Sequence, residues 1–296
     1  MDREGHDVTI FDSYFYGKEV QLMNINERLR HHTYKIDVRN NTEKIEMELE
    51  QLRPEFIFHL AALSSAPLCT MSPKDAVAVN VVGFQNFLEA SYYYKVKRIV
   101  YASTSSMYNG HQLPFNENMC IMPKTVYEAT FHDRESLAFA YSNEFGVSSV
   151  GLRFFSIYGP NERHKKKYAN NITQFMWDLM GDRRPIIFDD GKQTRDFIYV
   201  DDVVEALKLA AFSDHSLLKC NIVNVGTGVS TSFNEIINKL NKKLGKDIKP
   251  EYRSNPHGGN YVRHTKADTT KAQHLLRFTP KISLDEGIDK LIQSYG

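Results

Sequence analysis

The sequence predicts an α/β protein with a doubly wound parallel sheet and a smaller C-terminal lobe. Short apolar runs rich in β-branched and aromatic residues alternate with helical patterns, which is the order that βαβ units produce. These runs are apolar throughout rather than at every second residue, as expected for strands that are covered on both faces. After Pro160 the pattern changes to helices separated by single short strands.

Five strands are predicted in the first half of the chain, at residues 8–12, 34–38, 56–62, 98–104 and 150–157. The other predicted elements are helices at 73–94, 127–145, 171–180 and from 200 onwards, a strand at 186–188 and a loop at 191–195. Two capping boxes mark later helix starts, Ser232 with Glu235 and Ser283 with Glu286. We expect residues 1–160 to form the sheet domain, which also receives later segments, and residues 161–296 to form mainly the smaller lobe.

The composition is that of an ordinary globular protein. With 296 residues, of which 42% are hydrophobic, the chain can bury a large core. The 37 Lys and Arg residues nearly balance the 36 Asp and Glu residues, so no net charge favours nucleic acid or an anionic membrane as a partner. Three scattered cysteines and no secretion signal predict a cytoplasmic location, and no stretch approaches the about 20 apolar residues of a membrane span. The histidines lack metal-ligand spacing, so no metal site is expected.

Asp12 ends the first predicted strand, where dinucleotide-binding folds place an acid that accepts hydrogen bonds from the adenosine ribose. The same carboxylate repels a 2′-phosphate, which favours NAD over NADP. A glycine-rich phosphate loop normally lies about 20 residues before this acid, which is roughly eight residues before Met1. We therefore expect the first strand of the sheet and its glycine loop to be absent from the chain. The alternative is that Asp12 is an ordinary turn or N-cap residue.

Three motifs follow in order: Tyr34-Lys-Ile-Asp37-Val38-Arg39, Phe56-Ile-Phe-His59-Leu60-Ala61-Ala62 and Asn80-Val-Val-Gly83. Together they resemble the extended short-chain dehydrogenase/reductase superfamily of nucleotide-sugar epimerases and dehydratases. The resemblance implies a Rossmann-like NAD-binding domain, whose first strand is the centre of the sheet, and a nucleotide-sugar-binding lobe. The NAD contacts that it implies are Asp37 and Val38 at the adenine, Leu60, Ala61 and Ala62 at the pyrophosphate and ribose, and Asn80 on the helix beneath.

A missing central strand would weaken the sheet. Its loss removes up to about ten ladder hydrogen bonds at about 0.5 to 1.5 kcal/mol each, together with several buried side chains. These terms rival the about 5 to 15 kcal/mol of a whole domain. We therefore expect the chain to be unstable or to bind NAD poorly unless the strands at 8–12 and 56–62 close up.

At the end of the fourth predicted strand, Ser103-Thr104-Ser105-Ser106 resembles the segment that carries the family's catalytic hydroxyl. The match places that role on Thr104, with Ser106 at the substrate. Tyr127 matches the tyrosine of the family's Tyr-x-x-x-Lys motif, which takes the proton from a sugar hydroxyl while NAD takes the hydride. The alternatives are a hydroxyl-rich turn after the strand and a packed aromatic residue at position 127.

The lysine position of this motif holds Phe131. A free phenol has a pKa of about 10, and lowering it to about 7 needs about 4 kcal/mol of preferential phenolate stabilisation. The family's lysine and the oxidised nicotinamide share that task. Without the lysine, we expect Tyr127 to depend on the cofactor, on helix-start amides and on the Thr104 hydroxyl, and catalysis to be slower or differently assisted.

The segment 151–160 resembles the family's passage from cofactor to substrate, which places Phe154 at NAD and Ser156 at the nucleotide sugar. The segment 190–202 resembles the family's nucleotide-binding turn, in which Arg195 pairs with the diphosphate. The other substrate contacts that the resemblance implies are Asn171, Phe188 and, from a looser match, Arg263.

The resemblance favours NAD-dependent epimerisation of a UDP- or dTDP-hexose, similar to that of a UDP-glucose 4-epimerase. A 4,6-dehydratase usually has an Asp-Glu pair after the catalytic hydroxyl, whereas Ser105 and Ser106 follow Thr104 here. Two other hypotheses stay open: a non-catalytic nucleotide-sugar-binding relative, suggested by Phe131, and a truncated product without independent function. The resemblance also implies a homodimer formed by the helices predicted at 73–94 and 127–145.

Overall fold

The computed structural model describes residues 1–15, 17, 25–40, 42–213, 218–255 and 261–296. The strands in these ranges are β1 (Ile10–Asp12), β2 (Thr33–Lys35), β3 (Phe56–His59), β4 (Arg98–Thr104), β5 (Ser149–Phe154), β6 (Ser156–Tyr158), β7 (Ile186–Phe188), β8 (Thr194–Tyr199), β9 (Cys220–Val225), β10 (Ser230–Ser232) and β11 (Glu251–Arg253). The helices are α1 (Glu27–His31), α2 (Thr42–Leu52), α3 (Ala66–Met71), α4 (Pro73–Val77), α5 (Gly83–Tyr93), α6 (Val126–Phe145), α7 (Asn171–Met180), α8 (Val200–Phe212), α9 (Phe233–Leu244), α10 (Thr270–Leu276) and α11 (Leu284–Tyr295). None of these helices combines the length and the apolar character that crossing a membrane requires.

The main sheet has four parallel strands in the order β3-β4-β5-β9. One apolar cluster packs α2, α5 and α6 against one face, and a second packs α8 and α10 against the other. Burial on both faces explains why the middle of β4, residues 99–102, has no charged side chain. Gly151 on β5 lies against the Tyr101 ring on β4, because a Cβ at position 151 would come within 2.6 Å of that ring. The predicted doubly wound α/β architecture is therefore confirmed.

Strands β1 and β2 form a separate parallel pair, in which Phe11 lies opposite Tyr34. Within the described ranges, no ladder joins either strand to β3. Side chains of this pair, including Phe11 and Tyr34, still pack on the apolar cluster that covers β3 and β4. The strands at 8–12 and 56–62 thus do not close up, and the expected effect on stability and NAD binding stays a prediction.

The C-terminal part contains a sheet in the order β10-β8-β6, in which β6 and β8 are parallel and β8 and β10 are antiparallel. A second parallel pair joins β7 and β11. A third apolar cluster lies between these strands and helices α7, α9 and α11. Asp196 on β8 is fully buried and accepts hydrogen bonds from the backbone amides of Thr227, Gly228 and Ala267. This carboxylate therefore fixes two loops against β8.

Several predicted elements differ from the structure, and the strands predicted at 34–38 and 56–62 end earlier, at Lys35 and His59. The strand predicted at 150–157 is split at Phe155, where the chain leaves the main sheet and Ser156 begins to pair with Phe197 of β8. The loop predicted at 191–195 is wrong at its end, because β8 begins at Thr194. The helix predicted at 73–94 is interrupted by a π-helical stretch, Ala78–Val82.

Candidate active site

Two hydroxyl side chains meet at the carboxyl end of β4. The Tyr127 hydroxyl donates to Thr104 Oγ1 at 3.2 Å. Thr104 is the last residue of β4 and caps the following 3-10 turn by accepting from the Ser106 amide at 3.2 Å. Tyr127 lies in the first turn of α6, where the Thr125 side chain accepts from the Glu128 amide. Strand end and helix start thus hold the two predicted catalytic residues in contact, with Ser106 beside them.

The surroundings of Tyr127 favour its neutral form. Burial raises the pKa of Tyr127 to about 12, against the opposing effects of the Thr104 hydrogen bond and the Arg134 charge. A phenol with this pKa is almost entirely protonated at neutral pH. Its use as a base therefore requires additional positive charge nearby.

Phe131 lies one turn after Tyr127 and is fully buried. Its ring meets the Tyr127 ring edge-on, with 4.9 Å between the centroids. Both rings belong to an apolar cluster with Met107, Phe115 and Phe155. The position at which the family has its lysine is thus a packing position in this chain.

Arg134 provides a buried charge that the sequence motifs did not reveal. Its guanidinium is fully buried and donates to the backbone oxygens of Asn80 at 2.5 Å, Ala61 at 2.7 Å and Ala102 at 3.2 Å. The guanidinium carbon lies 4.9 Å from the centroid of the Phe131 ring. The spacing of three residues between Phe131 and Arg134 on one helix was the available signal.

A second buried polar group lies behind Thr104. Glu135 accepts from Ser103 Oγ at 2.6 Å and pairs with Arg153, whose Nη2 lies 2.6 Å from Oε2. Arg153 also donates to the Tyr108 hydroxyl at 2.6 Å, and that hydroxyl donates to Asn224. The network joins α6 to β4, β5 and β9, and the motifs gave no sign of it.

Several of the predicted NAD contacts lie at the carboxyl ends of parallel strands. Asp12 ends β1, Leu60 directly follows β3, and Phe154 ends β5 in register with Thr104. Parallel strands place their carboxyl ends together, which is where open α/β sheets bind ligands. The other predicted contacts in this group are Asp37, Val38, Ala61, Ala62 and Asn80.

The chemistry of this edge fits a dinucleotide. Asp12 is a partly exposed carboxylate at a strand end, while the small side chains of Ala61 and Ala62 leave the following backbone approachable. Asn80 is buried and fixes this backbone, since its side chain both accepts from and donates to Leu63. Val38 is also buried, against Gly83, where a Cβ would come within 2.6 Å of the valine methyl group.

Asp37 has a partner within its own loop. Its carboxylate accepts from Arg39 Nη2 at 2.7 Å, and Arg39 also pairs with Asp75 at 2.6 Å. These hydrogen bonds hold the pKa of Asp37 below its usual value. The carboxylate thus orders the loop after β2, next to Val38.

The predicted diphosphate contact, Arg195, lies on β8 between two aromatic rings. Its guanidinium carbon is 5.5 Å from the Phe233 centroid and 5.3 Å from the Tyr261 centroid. Its Nη1 donates to the backbone oxygens of Thr194 and Arg263. The arginine is therefore held in position on a rigid strand.

Arg263 and Phe188 lie close to this arginine. The Phe188 ring meets the Tyr261 ring edge-on at 6.4 Å, and Arg263 pairs with Asp189 and Asp190. Three of the predicted substrate residues thus form one group. Ser156 starts β6 and Asn171 starts α7.

The segment around Ala267 links the site of Tyr127 to the group around Arg195. Ala267 belongs to the apolar cluster that contains Tyr127, and its amide donates to Asp196, the neighbour of Arg195. His264 pairs with Thr194 and Ala267 with Phe115 as isolated bridges. The tyrosine and the arginine are therefore attached to one continuous framework.

Known proteins resemble this chain in sequence and in fold. The family model described as NAD dependent epimerase/dehydratase family matches residues 1–226. A UDP-glucuronate 4-epimerase from Thermodesulfobacterium geofontis is 33% identical over 261 residues, which cover 88% of this chain and 77% of that protein. The structure of a UDP-glucose 4-epimerase from Thermotoga maritima with UDP-glucose matches with a TM-score of 0.90 at 29% identity, covering 99% of this chain and 92% of that chain.

A third relative was solved with both ligands. The UDP-glucuronic acid 4-epimerase from Bacillus cereus, in complex with UDP-glucuronic acid and NAD, matches with a TM-score of 0.86 at 25% identity, covering 99% of this chain and 92% of that chain. These matches confirm the superfamily, the fold class and the NAD cofactor that the motifs predicted. The chain belongs to the NAD dependent epimerase/dehydratase family.

Proposed function

We propose that this protein epimerises a UDP-hexose or UDP-hexuronate at C4 with NAD as cofactor. The observation that carries the proposal is the hydrogen bond between Tyr127 and Thr104 at the carboxyl end of β4. A phenol and a hydroxyl in contact at this edge suit the removal of a proton from a sugar hydroxyl. Relatives that act on UDP-glucose and UDP-glucuronate support the substrate class.

In this proposal Tyr127 takes the proton from the sugar hydroxyl and later returns it. Thr104 hydrogen-bonds the same sugar hydroxyl, since its Oγ1 lies 3.2 Å from the Tyr127 hydroxyl and both side chains can reach one oxygen. Bound NAD supplies the hydride acceptor and, after the sugar has turned, the hydride donor. Inversion requires that the oxidised sugar present the opposite face of C4 before the hydride returns to that carbon, while the proton returns to the C4 oxygen.

The proposed cofactor contacts follow the carboxyl edge of the parallel strands. Asp12 is assigned to the ribose hydroxyls, and its negative charge disfavours the 2′-phosphate of NADP. The backbone after β3 would lie against the pyrophosphate. The complete proposed set is Asp12, Asp37, Val38, Leu60, Ala61, Ala62, Asn80, Tyr127 and Phe154.

The proposed substrate contacts come from both parts of the chain. Arg195 is assigned to the diphosphate, since a planar guanidinium matches phosphate oxygens in two-point contact. Phe188 lies in the same group and is assigned to the uracil ring. We keep the division near residue 160, with α8, β9 and α10 as later segments that return to the main sheet. The complete proposed set is Ser106, Ser156, Asn171, Phe188, Arg195 and Arg263.

Ser105 and Ser106 support epimerisation over dehydration. Dehydration of a hexose requires an additional acid and base beside the catalytic hydroxyl. The two residues after Thr104 carry hydroxyls rather than carboxylates, and Ser105 is buried. No observation in the described part of the chain favours the dehydratase hypothesis.

A substrate panel tests the proposal. The purified protein is incubated with NAD and, separately, UDP-glucose, UDP-glucuronate and UDP-N-acetylglucosamine, and proton NMR follows the anomeric signal of each C4 epimer. We expect conversion of at least one sugar and loss of conversion in Tyr127→Phe, with NAD binding retained. Saturation with NAD without conversion of any sugar would instead favour the non-catalytic relative.

We further propose a homodimer formed by α5 and α6. Phe139 and Phe145 on α6 and Tyr92 on α5 each expose more than a third of their surface. Tyr92 and Phe145 lie in contact, with ring centroids 5.4 Å apart, so apolar side chains of both helices form one patch. Exposed apolar patches of this kind mark association surfaces.

The cytoplasm is the proposed location. Cys69, Cys120 and Cys220 are all free thiols in the structure. Free cysteines suit a reducing compartment.

A further inference from the structure

We propose that Arg134 is a positioning residue that supplies, across the Phe131 ring, the positive charge that the family takes from its motif lysine. The inference rests on the proposed role of Tyr127 as the base. It concerns a feature of this chain, because Phe131 and Arg134 together replace one lysine. The function of the arginine is to favour the phenolate form of Tyr127 once NAD is bound.

The Arg134 guanidinium lies beneath the proposed site. Arg134 donates to the backbone of Ala61, which follows β3, and of Ala102, which precedes Thr104 by two residues on β4. It also donates to the backbone of Asn80. These three segments lie at the edge proposed for cofactor and sugar. The charge is thus built into the floor of the proposed site rather than facing solvent.

Arg134 has no counter-ion in the described part of the chain. All hydrogen bonds of Arg134 go to carbonyl or amide oxygens, and within the described ranges it makes no ion pair. The adjacent carboxylate, Glu135, is engaged by Arg153. Burial of an unpaired cation is costly, which disfavours its retention for packing alone. Formation of an anion nearby would offset that cost.

The Phe131 ring contacts both the Arg134 guanidinium and the Tyr127 ring. The Phe131 ring meets Tyr127 edge-on at 4.9 Å and carries the Arg134 guanidinium over its face at 4.9 Å. A planar guanidinium stacks on aromatic faces better than an ammonium does. The Phe131 ring thus packs against both groups, and apolar surroundings of this kind screen the field of a cation weakly.

Three titratable neighbours carry no charge near neutral pH, whereas the charge of Glu128 opposes the effect of Arg134 on the pKa of Tyr127. His59 on β3, Cys69 on α3 and Tyr101 on β4 face the guanidinium or the phenol. Burial lowers the pKa of His59 well below its usual value and raises the pKa values of Cys69 to about 11 and of Tyr101 well above 10. All three are therefore neutral between pH 7 and 9. Glu128, on α6, is the remaining acid near Tyr127, and its carboxylate accepts from the Lys124 amide.

The test compares four variants with the wild-type protein. Arg134→Met removes the charge and keeps the length, Arg134→Lys keeps the charge, and Phe131→Lys combined with Arg134→Met returns the charge to the family position. Tyr127→Phe identifies the Tyr127 signal in NMR spectra of protein labelled with ¹³Cζ-tyrosine. The spectra are recorded with NAD bound, as a function of pH, beside the pH profile of epimerase turnover.

Without Arg134, we expect the ionisation midpoint of Tyr127 to rise by about one unit or more. Turnover at pH 7 then falls about tenfold or more, because each unit removes nine-tenths of the phenolate. Arg134→Lys and the double variant restore both values at least in part. An unchanged midpoint in a folded Arg134→Met protein would overturn the inference, even if NAD binding were weaker.

Two measures keep the result decisive. If Arg134→Met does not fold, Arg134→Gln replaces it, because the amide still donates to the surrounding carbonyls without carrying charge. The NMR midpoint needs no turnover, so it decides the inference even if no sugar in the panel is converted. Turnover with an unchanged midpoint refutes the inference alone, whereas a shifted midpoint without turnover refutes only the proposed function.

Discussion

Glu135 and Arg153 form an ion pair that is almost completely buried, with 2.6 Å between Oε2 and Nη2. The glutamate lies on α6 and the arginine on β5, directly behind the strand end that presents Thr104. Ser103, the neighbour of Thr104, donates to the same carboxylate. The pair therefore fixes the distance between the helix that carries Tyr127 and the strand that carries Thr104.

Removal of one partner from this pair should be strongly destabilising. We expect Glu135→Gln to lower the free energy of unfolding by about 3 to 5 kcal/mol, because Arg153 is left buried without its counter-charge. Denaturant titration measures the change. The double variant Glu135→Gln with Arg153→Met should lose less than the sum of the two single variants, and simple additivity would show that the pair contributes no coupling.

Asp196 should be equally sensitive to loss of charge. Its carboxylate accepts four hydrogen bonds, from the Thr227 amide and hydroxyl and from the Gly228 and Ala267 amides. In Asp196→Asn one oxygen becomes an NH₂ group that faces N–H donors, so we expect a loss of about 3 kcal/mol or more in the free energy of unfolding. The control is Asp247→Asn, an exposed carboxylate expected to change stability by about 0.5 kcal/mol or less. Equal effects of the two changes would contradict the prediction.

His59 should make the protein acid-sensitive. Burial beside Phe84 and Phe87 holds the pKa of His59 well below its usual 6.5. As the pH falls through 6.5, the unfolded chain takes up a proton that the folded protein does not, so stability decreases until the lower folded pKa is reached. Thermal unfolding between pH 7.5 and 5 should show a smaller decrease in His59→Leu than in the wild type. His31→Gln, at an exposed position, should retain the wild-type slope.

Thr104→Val should reduce turnover more than it reduces substrate binding. The valine keeps the shape of the side chain but has no hydroxyl to accept from the Tyr127 phenol or to donate to its phenolate. Loss of a hydrogen bond to a developing phenolate corresponds to a decrease of about 10- to 100-fold in kcat. Because the Thr104 hydrogen bond lowers the pKa of Tyr127, the rise of activity with pH should also move to higher pH. Thr104→Ser should retain most activity. An unchanged kcat in Thr104→Val would remove Thr104 from the proposed mechanism.

Phe139→Glu should dissociate the proposed dimer. The side chain lies exposed on α6, and a buried carboxylate at an interface without a partner is unfavourable. Sedimentation velocity at several protein concentrations should show a dimer for the wild type and a monomer for the variant. Val229→Glu changes an apolar side chain that is 63% exposed elsewhere and should leave the dimer intact. A monomeric wild type would refute the proposal directly.

Much of the fold could be predicted from local pattern. The strand Arg98–Thr104, the helix Asn171–Met180 and the start of α8 at Val200 agree with the structure, because each combines a clear apolar period with a recognisable start. The Ser232 capping box is also confirmed, since both of its hydrogen bonds form. The strand β8 was missed, because its pairing with β6 and β10 is not encoded in its own six residues.

The candidate site was predictable only where a residue type recurs at a fixed place in a motif. Tyr127 and Thr104 were found in this way, and the structure brings them together. Arg134 and Glu135 were missed because arginine and glutamate side by side on a helix are typical of a solvated surface. Their burial follows from how α6 lies on the sheet, which depends on contacts far away along the chain. The fit of Phe131 between Tyr127 and Arg134 likewise needs coordinates.

The π-helical stretch Ala78–Val82 sets the rotational phase of everything that follows it in the helix. A regular α-helix turns about 100° for each residue, so shortening this segment by one residue would rotate α5 by about that angle. Phe84, Phe87 and Leu88, which now face the sheet, would then point partly toward solvent. Insertions and deletions should therefore be far less tolerated here than substitutions.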